Sequence, residues 1–332
     1  MINLDPGLDG NTLTVSDLSV GFRTRRGVVP AASNISFQVG RGRTMCIIGE
    51  SGSGKTSVAM ALLRLLPPNG EVRGKAELAG VDLLACSQAE LEEIRGRRVG
   101  VVFQDPSRAL NPVLTVGRQI EEVLQRHLGM DSRAARIRAQ EILSEVGLSD
   151  PAWRLQQYPH ELSGGLKQRV MIAIAIACSP ELVIADEPTT ALDVTVQRQV
   201  LRLLRKLCID RKLALVLITH DFGVVAAIAD EVAVMYAGRI VEKSGVVQLF
   251  ENARHPYTRA LLNANPQRLL EQGDSAGMLQ PIAGAPPNML ELPAGCRFAP
   301  RCTYRVAACE KYPPLVQTEP GHSAACWLTG SA

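Results

Sequence analysis

The chain has 332 residues, room for about two domains at roughly 150 residues each. A hydrophobic fraction of 46% supplies a sizeable core, and with aromatics at only 4% that core must be filled by Leu, Ile, Val and Ala. A net charge of +3, from 36 Lys and Arg against 33 Asp and Glu, gives no ground for a nucleic-acid partner. No apolar run reaches the roughly 18–20 residues of a membrane span. The first residues also lack the basic start and apolar stretch of a signal peptide, so a cytosolic protein is expected, linked to a membrane only through a partner. In that reducing setting the eight cysteines are expected as thiols or metal ligands, not disulfides.

Residues 1–10 read as a loose lead-in. Segments 13–15, 18–22 and 35–39 alternate like strands. Phe22 is placed either to stack on an adenine ring or to end its strand as a core residue. The turn at 40–43 leads into a buried strand over 43–48. Next comes Gly49-Glu50-Ser51-Gly52-Ser53-Gly54-Lys55-Thr56, a full match to G-x-x-x-x-G-K-[ST], and a helix opening at Ser57. That strand–loop–helix setting is an anion trap. Small residues let the backbone wrap a phosphate chain, amides and the helix N-terminus face the charge, and Lys55 adds a cation. Thr56 offers a hydroxyl to Mg²⁺.

Past the Pro67-Pro68-Asn69-Gly70 turn, short strand-like pieces run to 85. A buried strand over 99–103 ends at Gln104. Residues 105–112, with Pro106 and Pro112, predict a shaped loop without helix. Helices over 115–128 and 132–147 follow, an inserted helical lobe. Ser163-Gly164-Gly165 then opens another helix, an anion-binding arrangement that is weak alone. The apolar strand 182–186 ends in Asp186, the expected Mg²⁺ partner. Glu187 directly after it is placed to orient and deprotonate a water; the alternative is a solvated strand end. Ala191-Leu192-Asp193 turns the chain into a helix over 195–209. The strand 213–219 delivers His220, either to a γ-phosphate or attacking water, or merely to the surface or a cap. Strands 232–236 and 239–241 form a closing hairpin.

After about residue 250, prolines including Pro256, Pro266, Pro281 and Pro300 predict a loop-rich tail with little core. Cys296, Cys302, Cys309 and Cys326 fall there, and a metal would staple such a segment. Their spacing matches neither tight zinc pairs nor common ferredoxin runs, so the metal type stays open, as does a reading as scattered thiols. Cys46, Cys86, Cys178 and Cys208 are expected as core residues.

The phosphate loop, Gln104, Ser163-Gly164-Gly165, Asp186-Glu187, Asp193 and His220, in that order, resemble the ATP-binding cassette (ABC) ATPase family over about residues 12–245. Four further stretches narrow the resemblance: Phe103-Gln104-Asp105-Pro106, Tyr158-Pro159-His160-Glu161, Ala185 to Thr195 and His255-Pro256-Tyr257-Thr258. They are similar to the ATPase subunits of oligopeptide/dipeptide and nickel importers, and Thr189-Thr190 with the cysteine tail resembles the D-type subunit.

The resemblance implies an α/β fold: a P-loop NTPase (RecA-like) core, an antiparallel β subdomain and an inserted α-helical subdomain at about 105–165. A loop-rich C-terminal metal-binding extension completes it, with a nucleotide-binding domain over 1–250 and the extension over 251–332. It implies an ATP-hydrolysing importer subunit for di- or oligopeptides, with nickel or another small solute as the alternative and a soluble non-transport ATPase as the remoter one.

The implied roles follow. Phe22 stacks on adenine, residues 49–57 hold phosphates, and Thr56, Gln104 and Asp186 surround Mg²⁺. Glu187 is the general base and His220 the γ-phosphate sensor. Ser163, Gly164 and Gly165 contact the ATP of a second ATPase subunit, of F type, with Asp193 at the seam. The four tail cysteines resemble a [4Fe–4S] ligand set. Two membrane permeases and an extracytoplasmic solute-binding protein are the other implied partners, with the chain on the cytoplasmic face of the cell membrane. Leu166-Lys167 departs from the usual residues after the signature, away from phosphate.

Overall fold

Short apolar runs bounded by turns become fully buried strands, and these frame the computed structural model, which describes residues 10–190, 192–264 and 282–329. In chain order the strands are β1 (Asn11–Thr24), β2 (Gly27–Gly40), β3 (Thr44–Ile48), β4 (Gly70–Leu78), β5 (Val81–Asp82) and β6 (Val99–Val102). Then come β7 (Leu182–Asp186), β8 (Ala214–Thr219), β9 (Glu231–Tyr236), β10 (Arg239–Gly245), β11 (Val316–Glu319) and β12 (His322–Ala324). The chain divides into two compact units. One takes in Val39–Thr44 and Glu77–Ile218; the other takes in Thr14–Gln38, Met45–Ala76 and the chain from Thr219 onward.

In the first unit β6, β7 and β8 run parallel. Val102 stands opposite Ala185, and Asp186 opposite Ile218. Every residue of β7 is buried. A strand covered on both faces reads as a continuous apolar run, which is why Leu182–Ala185 has no polar alternation. The crossover from β7 to β8 is the helix Val194–Arg211, which turns Val200, Leu201, Leu204 and Leu207 inward. The inserted helices are Val116–Leu128 and Ser132–Glu145, capped by the Thr115 and Asp131 side chains and separated by Gly129 at φ 65°. Val116, Ile120 and Leu124 recur at helical spacing on the buried face.

In the second unit β1, β2 and β4 lie in the order β2-β1-β4, and a mixed sheet has the order β11-β12-β10-β9-β3. β3 and β9 are parallel; β9–β10, β10–β12 and β11–β12 are antiparallel. The β9–β10 turn, Ala237-Gly238, has φ 44° and 81°. Two successive positive φ values are the tight hairpin geometry that matches strand twist.

Most expected elements are present, with shifted ends: the helix expected over 132–147 ends at Glu145, and that over 195–209 extends to Arg211. The 105–112 expectation is corrected. Pro106–Ala109 is one helical turn, with Asp105 capping the Ser107 N–H and Pro106 at the first position, where a missing donor costs nothing. The tail carries short regular elements between its loops. Pro256–Asn263 is a helix, and β11–β12 add to the edge of β10, Glu242 opposite Ala324. The lead-in at 1–9, Ala191, Pro266 and Pro281 lie outside the described residues. Among the described residues no helix is long and apolar enough to cross a membrane.

Candidate functional site

In the second unit β3 runs into Gly49–Gly54 and then the helix Lys55–Leu62. Glycine is obligatory twice here. A Cβ on Gly49 would lie 2.1 Å from the Met235 carbonyl oxygen, and one on Gly54, at φ 99°, 2.0 Å from that of Ala31. Lys55 is 5% exposed, and its Nζ donates to the carbonyls of Gly49 at 2.8 Å and Glu50 at 3.0 Å. The ammonium thus sits inside the ring of loop backbone, where an anion bound by the amides would meet it. Thr56 and Ser57 begin the helix behind the loop. Phe22 is half-buried in β1, and His220 is exposed at the end of β8, ahead of a helix that Asp221 caps through the Gly223 N–H at 2.7 Å.

The first unit carries the acids. Asp186 is buried at the tip of β7, and Glu187 follows at φ 45°, its N–H donating to the Ile218 carbonyl at 2.9 Å. A positive φ at a glutamate is strained backbone of the kind that collects at functional sites. The Glu187 Oε2 accepts from Gln104 Nε2 at 3.1 Å and from the Thr190 hydroxyl at 3.0 Å. Gln104 and Glu187, far apart in sequence, are therefore one cluster. Ser163 is the exposed N-cap of the helix Gly164–Ile176, with no side-chain cap bond of its own. Asp193 spends its carboxylate locally, accepting from the N–H groups of Thr195 and Val196.

The four tail cysteines line one cavity of about 10 Å³ with Phe298 and Trp327 in its wall. Burial pushes the Cys296, Cys302 and Cys326 thiols up, and neighbouring cysteines add to it. Among the described residues no three His, Cys, Asp or Glu side chains stand as a ready metal site. His255, also in the wall, is fully buried and accepts the Tyr257 N–H on Nδ1. Desolvation first, then Arg259, pushes it down to about 3. Cys46, Cys178 and Cys208 are buried as expected, while Cys86 is half-buried.

Sequence reasoning left out two residues that touch the phosphate loop. The Tyr257 hydroxyl accepts the Glu50 N–H at 3.0 Å, and Arg301 pairs with the Glu50 carboxylate. Tyr257 carried a signal in His255-Pro256-Tyr257-Thr258; Arg301 carried none.

The ABC transporter family model matches residues 32–190, and the model of the oligopeptide/dipeptide transporter C-terminal region matches residues 241–309. The oligopeptide transport ATP-binding protein OppD of Haemophilus influenzae is 45% identical over 96% of this chain and 97% of its own. A probable peptide ABC transporter ATP-binding protein of Sinorhizobium fredii is 48% identical over 95% and 94%. The dipeptide transport ATP-binding protein DppD of Bacillus subtilis is 44% identical over 95% and 94%. Among solved structures, an ATP-binding cassette dimer in a post-hydrolysis state with ADP and Pi superposes with a TM-score of 0.63 at 27% identity. The match covers 70% of this chain and 98% of that one.

Proposed function

The chain belongs to the ABC transporter ATP-binding proteins, in their oligopeptide/dipeptide branch, and from that premise we propose that it hydrolyses ATP to drive import of di- or oligopeptides. The observation that carries the reading is the phosphate loop closed around Lys55; in the other unit the strand-tip acid Glu187, held by Gln104 and Thr190, supports it. Membrane permeases and a solute-binding protein belong to such an importer, and the chain attaches to the membrane through the permeases, on its cytoplasmic face.

In this reading Gly49–Ser57 hold the phosphates, Phe22 stacks on the base, and Thr56, Gln104 and Asp186 surround Mg²⁺. Glu187 takes the proton of the attacking water, and His220 faces the γ-phosphate. Positioning and charge stabilisation supply most of the acceleration. Ser163, Gly164 and Gly165 complete the site of a second, F-type ATPase subunit, with Asp193 near the seam. The free Ser163 side chain at a helix N-terminus supports that assignment. The nucleotide-binding domain runs to about 250 and the extension from 251.

The finer reading of the extension is a [4Fe–4S] cluster on Cys296, Cys302, Cys309 and Cys326. It is supported by all four thiols lining one cavity and by the suitability of thiolates for such a cluster, though zinc takes the same donors. Bound there, the group supplies a cross-link between four separated points of the tail.

The test is ATP turnover of the anaerobically purified complex, wild type against Glu187→Gln. Turnover is expected to fall about 10²–10⁴-fold, the usual contribution of a general base, with nucleotide binding retained. Undiminished turnover would either remove Glu187 from the role or assign the turnover to the site of the second subunit. Iron, acid-labile sulfide and zinc measured on the same samples decide the metal.

A further inference from the structure

Glu50 is the second residue of the phosphate loop, and a carboxylate is out of place in an anion cradle. A full negative charge beside the amides that gather polyphosphate raises the cost of bringing more negative charge in. Arg301 answers it. Its Nη1 donates to Glu50 Oε2 at 2.7 Å and its Nη2 to Oε1 at 3.0 Å. Such a fork-on-fork pair fixes orientation as well as charge.

The Arg301 side chain is only 5% exposed. Its remaining donors are held by the carbonyls of Ala283 at 2.9 Å and Ile282 at 3.4 Å and by the Tyr236 hydroxyl at 3.3 Å. The backbone of Glu50 is pinned from the same side by the Tyr257 hydroxyl, and the rings of Tyr236, Tyr257 and Phe298 pack on one another.

Phe298 and Arg301 lie between Cys296 and Cys302, so the stretch that reaches the loop is the stretch that carries two of the cavity thiols. A second contact runs in parallel. Arg297 donates to the Ala237 carbonyl, and the next residue of that turn, Gly238, donates its N–H to the Ser53 carbonyl of the loop at 2.9 Å.

We propose that Arg301 is a positioning residue of the nucleotide site: it neutralises and fixes the Glu50 carboxylate, so that the cysteine tail sets the loop's affinity for the polyphosphate of ATP. The inference rests on the reading of Gly49–Thr56 as a nucleotide site. Arg301 touches no reacting atom and acts through Glu50.

The test measures binding of Mg-ADP and a non-hydrolysable ATP analogue to the full chain by calorimetry, with kcat and KM for ATP in the assembled complex. Arg301→Gln is expected to weaken nucleotide binding about tenfold, the order of one poorly screened unit charge, raising KM with kcat little changed. Adding Glu50→Gln to that variant is expected to bring affinity back to within about threefold of wild type, because the repelling charge is gone.

Where Arg301→Gln gives no folded protein, Glu50→Gln alone decides. It leaves an uncompensated guanidinium beside the loop, and affinity is expected to rise; a fall overturns the proposal. Unchanged affinity in Arg301→Gln, or a loss that Glu50→Gln fails to restore, also overturns it. Failure of the wild-type chain to bind either nucleotide would instead strike the nucleotide-site reading itself.

Discussion

The phosphate loop and the cysteine tail are shaped by opposite means. The loop is mostly local: Ser53 N–H closes on the Glu50 carbonyl at 3.2 Å, Lys55 folds back on Gly49 and Glu50, and Gly52 and Gly54 adopt positive φ. The tail is held by ties across long stretches of chain. Cys296 N–H reaches the Cys309 carbonyl at 2.9 Å, Ala325 N–H the Val241 carbonyl at 2.8 Å, and Trp327 Nε1 the Lys311 carbonyl at 3.0 Å. The difference teaches where each is fragile. A loop of this kind fails when its backbone dihedrals are forbidden; a tail of this kind fails when one of few tethers is cut, and it opens before the rest.

The largest effect should come from breaking the loop on its own terms. Gly54→Ala puts a Cβ 2.0 Å from a backbone oxygen at φ 99°, with nothing flexible to give way. Nucleotide binding and ATP turnover are expected to fall to background. The matched control is Gly321→Ala in the tail, at φ 73° with nothing within 4 Å, where only left-handed strain of about 1 kcal/mol is expected and turnover stays. Equal nucleotide binding in Gly54→Ala and wild type would sink the claim that dihedral freedom shapes the loop.

Next is the tail's central tether. Glu242 is fully buried in β10, and its carboxylate takes the His322 Nε2 at 2.7 Å and the N–H groups of Arg254 at 2.5 Å and His255 at 2.9 Å. Glu242→Ala strands all three donors. The expected cost is about 3–5 kcal/mol, from buried groups that lose their hydrogen-bond acceptor at about 1–3 kcal/mol each. Urea unfolding and limited proteolysis are the readouts, with cleavage expected first between 282 and 329. A variant as protease-resistant as wild type would show that other ties hold the tail.

This contrast also explains what was legible in the sequence. Local signals carried the loop, the buried strands and the hairpin at Ala237-Gly238, because a glycine pattern or an apolar run determines its own geometry. The Ser87-Gln88-Ala89-Glu90 stretch was equally legible but unread: Ser87 and Glu90 form a capping box at the start of the helix Gln88–Ile94. The β11–β12 pairing, the Glu242–His322 contact and the Arg301–Glu50 fork were not legible. Each joins residues distant in sequence, and neither partner differs locally from an ordinary surface residue. The same holds for Gln104 on Glu187; the resemblance set Gln104 with Asp186 around Mg²⁺ and not on Glu187.

Acid should sharpen the comparison, because the tail holds a histidine that folding keeps neutral. His255 falls from its ordinary value near 6.5 to about 3, chiefly by desolvation. The unfolded chain therefore binds the proton more readily between those values. The contribution of His255 is fully present above about pH 6.5 and is lost as pH falls toward 3, at up to roughly 1.4 kcal/mol per pH unit. His255→Asn keeps a helix-capping acceptor without titrating. Urea unfolding at pH 7.5 and 5.5 should show a smaller acid loss in the variant, and parallel losses would remove His255 as the cause.

The smallest effect is expected at the outer edge of the tail, where two influences oppose each other. The Arg239 guanidinium lies 3.9 Å from the centroid of the Tyr312 ring, a cation–π contact worth about 1 kcal/mol at a half-exposed site. Arg239 also repels Arg297, which burial first and then this neighbour push down to about 10. Arg239→Gln therefore loses the ring contact but relieves Arg297, and the net change in stability should stay below about 1 kcal/mol. A double-mutant cycle with Tyr312→Leu isolates the ring contact, because the relief of Arg297 appears in both arms and cancels. A coupling near 1 kcal/mol identifies Tyr312 as a tether to β10. A coupling near zero would leave the β12–β10 pairing and Arg301 to hold the tail, and Glu242→Ala would then open the whole segment at once.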